Sequence, residues 1–151
     1  MGIAYINSRS RGELADMIYT YWEAYRRHGY GNPDKLDIPV AFHVHVAEIR
    51  EEAEANTRGP LDLYLKTRQY GRDIRFDDLK QREQVLVGSP EDVIRQIEAY
   101  HEIGITNLMA LMNFGGMAHE KVCRSLELFG KHVIPAFKKQ TGDDRRVRTY
   151  E

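Results

Sequence analysis

Hydrophobic positions along this chain follow two periods, and the switches between them mark its elements. Leu14, Met17, Ile18, Tyr21, Trp22 and Tyr25 recur at offsets of three and four, which predicts an amphipathic helix. Ser10 and Glu13 have the spacing of a capping box and place its start. Gly29, Gly31 and Pro33 place its end. From Pro39 to Val46 the period falls to two. Val40, Phe42, Val44 and Val46 share one face of a predicted strand, and Ala41, His43 and His45 share the other.

Charges and alanines favour a second helix from Glu48 to about Lys66, interrupted near Gly59-Pro60. Residues 67–84 have no clean period and read as a long connection with one helical turn. Ser89 caps the next helix, with Pro90 at its first position, where a missing N–H costs nothing. Val93, Ile94, Ile97 and Tyr100 form its stripe and Gly104 ends it. Ile105 to Met112 is an apolar run bounded by turn signals, as a buried strand is. A final helix follows, with Val122, Leu126, Phe129 and Val133 inward and Pro135 bending or ending it.

With Ile3 to Ile6 as a first short strand, strand and helix alternate along the chain. That order predicts an α/β fold with a parallel sheet. Three strands make a narrow sheet with two open edges, and open edges invite pairing with another chain.

The chain has 151 residues, 42 % hydrophobic and 30 % charged, which suits one globular domain. Its 22 basic and 23 acidic residues leave a net charge of −1, so no electrostatic pull toward nucleic acid or an anionic membrane is expected. One cysteine, Cys123, excludes an internal disulfide and a CxxC metal site, and reads as a structural thiol. No apolar run reaches membrane-spanning length and no signal peptide is evident, so a reducing, cytoplasmic location is the expectation. Residues 140–151 read as a charged, solvated tail.

Three groups of residues carry candidate chemistry. His43 and His45 form an H-x-H pair on one strand face, where they line a polar pocket or sit as satisfied structural histidines. A metal site would need Glu48 as third ligand, but Glu48 is an odd step along the strand and points away. Ser8, Ser10 and Arg11 sit at a predicted helix N-terminus, where free N–H groups favour an anion. Capping by Ser10 beside solvated arginines is the simpler reading. Asn113-Phe114-Gly115-Gly116 follows the last strand, where glycines either let the chain approach a ligand or only make a turn.

Val87-Gly88-Ser89-Pro90-Glu91-Asp92-Val93, then Ser125-Leu126-Glu127-Leu128-Phe129-Gly130 and Val133-Ile134-Pro135, resemble the C-terminal part of the bacterial luciferase-like flavin monooxygenases. Val44-His45-Val46-Ala47-Glu48 with Glu51-Glu52-Ala53, and Gly2 to Ser8 before them, extend the likeness over nearly the whole chain to Lys139. The resemblance implies a partial (β/α)8 TIM barrel over residues 1–139, of about three to four β/α units. A complete barrel takes about 250 residues.

The likeness also implies FMN or a deazaflavin as cofactor, with reduced flavin and oxygen acting on a small organic substrate. Ser8, Ser10 and Arg11 would hold the flavin phosphate; His43, His45 and Asn113 would line the substrate pocket. The family's catalytic histidine belongs to the portion that has no counterpart here. Closing a pocket would therefore take a second copy of the chain or a separate N-terminal barrel subunit, and a flavin reductase would feed it. The alternative implied is an inactive truncated barrel, acting as a self-associating subunit or flavin-binding scaffold.

Overall fold

A computed structural model describes residues 5–6, 9–33, 36–68 and 73–138. Ser8, and the tail expected over residues 140–151, lie outside the described residues. The elements are β1 (Tyr5–Ile6), α1 (Arg11–Arg27), β2 (Pro39–Val46), α2 (Arg50–Arg68), α3 (Phe76–Gln81), β3 (Val85–Gly88), α4 (Pro90–Glu102), β4 (Asn107–Leu111), α5 (His119–Leu128), a π-helical stretch (Phe129–Val133) and α6 (Ile134–Lys138). All strand pairs are parallel, as the alternation of strand and helix predicts.

β2 is the centre of the sheet and pairs with all three other strands. Ala41 is opposite both Ile6 of β1 and Met109 of β4, and His43 is opposite both Val85 of β3 and Leu111 of β4. A strand has only two edges. β4 therefore occupies one of them, and β1 and β3 lie in tandem along the other. Among the described residues the sheet is three strands wide, and β1, β2 and β4 step across it as successive barrel strands do.

That arrangement decides which face each helix covers. The steps from β1 to β2 and from β3 to β4 run one way across the sheet; the step from β2 to β3 runs back. Right-handed crossovers must then place α1 and α4 on one face and α2 on the opposite face. The packing agrees. Val40, Phe42, Val44 and Val46 meet Leu14 and Ile18 of α1, Val93 and Tyr100 of α4, Leu128 and Val133 in one core. Val85 and Val87 meet Ala53, Leu61 and Leu65 of α2, with Phe76, Leu79, Phe114 and Met117, in a second core.

Five expectations change. β4, expected as a buried strand, is exposed at Asn107 and Ala110 and only partly buried at its other positions. Val85–Gly88 is a strand that the aperiodic reading of residues 67–84 stopped short of, and its buried residues pair with the end of β2. The helix expected to break at Gly59-Pro60 runs unbroken, because Ala53, Thr57, Leu61 and Leu65 are buried at four-residue spacing. Pro60 removes one N–H, and that packing outweighs its cost of about 3 kcal/mol. Leu126 is half exposed and points outward, while Ser125 and Leu128 take the inward positions. The last helix does not end at Pro135 but runs on to Lys138. Its turns widen over Phe129–Val133, with the Ile134 N–H reaching back five residues to the Phe129 carbonyl, so that the proline ring is accommodated.

Candidate functional site

His43 and His45 project from the face of β2 that α2 covers. The alternation of the strand sends their neighbours Phe42, Val44 and Val46 into the other core. Only 8 % of His43 and 1 % of His45 is exposed. The His43 ring meets Phe114 at right angles, 5.2 Å between centroids, and Tyr64 of α2 at 4.8 Å. Burial pushes the pKa of His43 down to about 4. His45 is likewise lowered to about 4 by burial, with a smaller contribution from Lys121. Both imidazoles are neutral at pH 7.

Their polar atoms are poorly served. Nε2 of His43 and both ring nitrogens of His45 are buried without a hydrogen-bond partner. A neutral imidazole carries one donor and one acceptor nitrogen, so His45 leaves both functions unmet. Glu48 does not join them, because its carboxylate accepts from Arg124 Nε at 2.7 Å. Among the described residues no three of His, Cys, Asp and Glu come together as a metal site.

The α1 N-terminus is occupied from within. Ser10 Oγ accepts from the Glu13 N–H, and the Glu13 carboxylate takes the Ser10 N–H at 2.8 Å and the Ser10 hydroxyl at 2.9 Å. Those two bonds lower the Glu13 pKa, backbone donor first. An anion already sits where a phosphate was expected. Arg11 turns instead to Glu83, 3.3 Å away.

Arg11 also lines a cleft of about 290 Å³ along the outer edge of β3, with Arg50, Glu54, Lys80, Gln96 and Tyr100. Its cations are engaged: Arg11 with Glu83, Arg50 with Asp92, and Lys80 with Glu54. His43, His45 and Asn113 are not part of this cleft. Asn113 is exposed in the loop between β4 and α5. The structure therefore brings the two histidines together on one face, while Ser10 and Arg11 are bonded to Glu13 and Glu83 at the start of α1 and Asn113 is exposed.

The glycine after Phe114 serves a close approach, though to protein. A β-carbon on Gly115, whose φ is +59°, would lie 1.6 Å from the Pro60 carbonyl oxygen of α2. Gly88-Ser89-Pro90-Glu91-Asp92 likewise has a structural task. Ser89 and Asp92 form a reciprocal capping box, and a β-carbon on Gly88 would strike Asp92 at 2.6 Å. Asp92 also accepts from Arg50 Nε at 2.9 Å and from Arg95, joining the start of α2 to the start of α4. The Arg50 guanidinium is the main reason the Asp92 carboxyl is held well below the usual carboxylate range, against an opposing effect of burial. The S-x-x-D spacing announces the cap; Arg50, 42 residues away, has no local signal. Nor do Tyr64 and Phe114, the rings that cover His43.

The described residues do not fit a flavin as they stand: Ser10 and Arg11 are engaged by Glu13 and Glu83, and Tyr64 of α2 lies against the His43 ring.

Neither a protein-family model nor a curated protein matches the sequence. Solved structures do match. The monooxygenase RslO1 from Streptomyces bottropensis aligns over 90 % of this chain and 42 % of its own, with 19 % identity and a TM-score of 0.71. The oxygenating constituent of 3,6-diketocamphane monooxygenase from Pseudomonas putida, a structure in complex with FMN, aligns over 87 % of this chain and 42 % of its own, with 22 % identity and a TM-score of 0.64. Flavoprotein 390 covers 91 % of this chain and 58 % of its own at 17 % identity and a TM-score of 0.60. The chain thus spans about two-fifths of the length of the two monooxygenases. Its fold matches a portion of the TIM-barrel fold of those two monooxygenases.

Proposed function

We propose that this chain is part of a luciferase-like flavin-dependent monooxygenase, supplying one side of the barrel to an assembly that oxidises a small organic substrate with O2 and reduced FMN or deazaflavin. One observation carries the reading: the likeness in fold to structures named as monooxygenases, one of them in complex with FMN, over nine-tenths of this chain. The partner is a second copy or a separate barrel subunit, because the described residues do not close a flavin pocket. The sheet supports pairing. β4 is joined only to β2 among the described strands, and its outer edge carries no charged residue.

The test is the absorbance spectrum of the purified protein, with NADH oxidation coupled through a flavin reductase, in each oligomeric form obtained. Bound flavin and substrate-dependent turnover are expected of the assembly. Absence of both from every assembly rejects the enzyme reading. A second reading, an inactive self-associating subunit, draws on a specific feature: Ser10 and Arg11 are committed to Glu13 and Glu83, and Tyr64 of α2 covers the His43 ring.

A further inference from the structure

We infer that α2 is a built-in occupant of the sheet face that a barrel turns inward, and that it excludes a flavin from His43 and His45 in the isolated chain. The inference rests on the reading of this chain as part of a barrel. In a TIM barrel the helices form an outer ring, and the inner face of the sheet meets only other inward side chains. Here α1 and α4 lie on the outer face, and α2 lies on the opposite one. Topology imposes this, since β3 returns to the edge of β2 that β1 already borders.

The contact is well anchored. Ala53, Thr57 and Leu61 of α2 are fully buried, and Tyr64 covers the His43 ring. Gly115 meets the Pro60 carbonyl with no room for a side chain. Arg50 to Asp92 and Lys80 to Glu54 fix the helix to α4 and α3. The cover is apolar where the strand face is polar. That mismatch leaves three histidine nitrogens buried without partners, which is unfavourable. A face carrying His43 and His45 suits a wetter or ligand-filled lumen; α2 fills the space in its place.

Diethyl pyrocarbonate modification of the full chain, read per histidine by mass spectrometry with and without FMN, tests this. Of the six histidines, His28, His101, His119 and His132 are exposed and serve as internal references. His43 and His45 are expected to react at least about 100-fold more slowly, as groups reached only through local opening do. Added FMN is expected to leave those two rates unchanged. Reaction at the rate of the exposed four, or a change at His43 and His45 on adding FMN, overturns the inference. Either result leaves the enzyme reading standing, since that reading is decided by turnover of an assembly.

Discussion

Gly115 and Pro60 meet backbone to backbone: a β-carbon at residue 115 would stand 1.6 Å from the proline carbonyl oxygen. Through this contact the loop after β4 seats α2 on the histidine face. Gly115→Ala is expected to destabilise the protein by more than about 2 kcal/mol, combining left-handed strain with a steric clash. Gly116→Ala is the control. Its φ of +69° carries the strain, but no atom stands within 4 Å of a β-carbon there. Its cost should stay near about 1–2 kcal/mol. Urea midpoints of the two variants decide; equal losses would remove the role assigned to Pro60.

Asp92 serves two structures at once, the cap of α4 and the tie to Arg50. Asp92→Ala is expected to cost about 2–4 kcal/mol, since it removes a cap and leaves two guanidiniums without their shared partner. Arg95→Ala, on a side chain that is 64 % exposed, should cost less than about 1 kcal/mol. Denaturant titration of both variants checks the ranking.

Stability should fall with acid in a window set by His43 and His45. Each has a folded pKa near 4, while the unfolded chain has the ordinary value near 6.5. Between these values the unfolded state binds more protons, so the contribution is complete above about pH 6.5 and is lost as pH falls toward 4. The loss per histidine is on the order of 3 kcal/mol. Asp92, lowered further, gives way only in stronger acid, below the ordinary carboxylate value near 3.9. Denaturant midpoints at pH 7, 5 and 4 measure the first window. A flat profile between pH 7 and 5 would contradict the burial of the two rings.

His45→Leu is expected to leave stability at pH 7 unchanged or raised. Both ring nitrogens lack partners, so an apolar side chain of similar size gives up no hydrogen bond. The same variant should lose about half of the acid sensitivity. A loss of several kcal/mol at pH 7 would show that His45 has a bonding partner in solution.

The open edge of β4 predicts self-association at micromolar concentration, read by light scattering. Ala110→Lys adds charge to the edge strand and should shift the population toward monomer. A strictly monomeric parent chain would sink this expectation.

Much of the fold was legible because it is written locally. The capping pairs Ser10/Glu13 and Ser89/Asp92 mark two helix starts, and both form reciprocal boxes. The alternation in β2 correctly divides Phe42 and Val44 from His43 and His45. Local pattern failed where distant partners outweighed it. Pro60 does not break α2, because the helix is held by packing that no nearby residue announces. Val85–Gly88 is a strand because β2 offers an edge, and four residues carry too short a period to show it.

The candidate site divides along the same line. Sequence alone determined that His43 and His45 share a strand face, since successive side chains on a strand must alternate. It also marked Ser10 as a cap, for a hydroxyl three residues before a carboxylate suffices. What stands opposite the histidines was decided only in three dimensions. β1 and β3 lie in tandem along one edge of β2, the returning crossover must therefore pass on the far face, and α2 fills the space that the H-x-H pattern by itself left open.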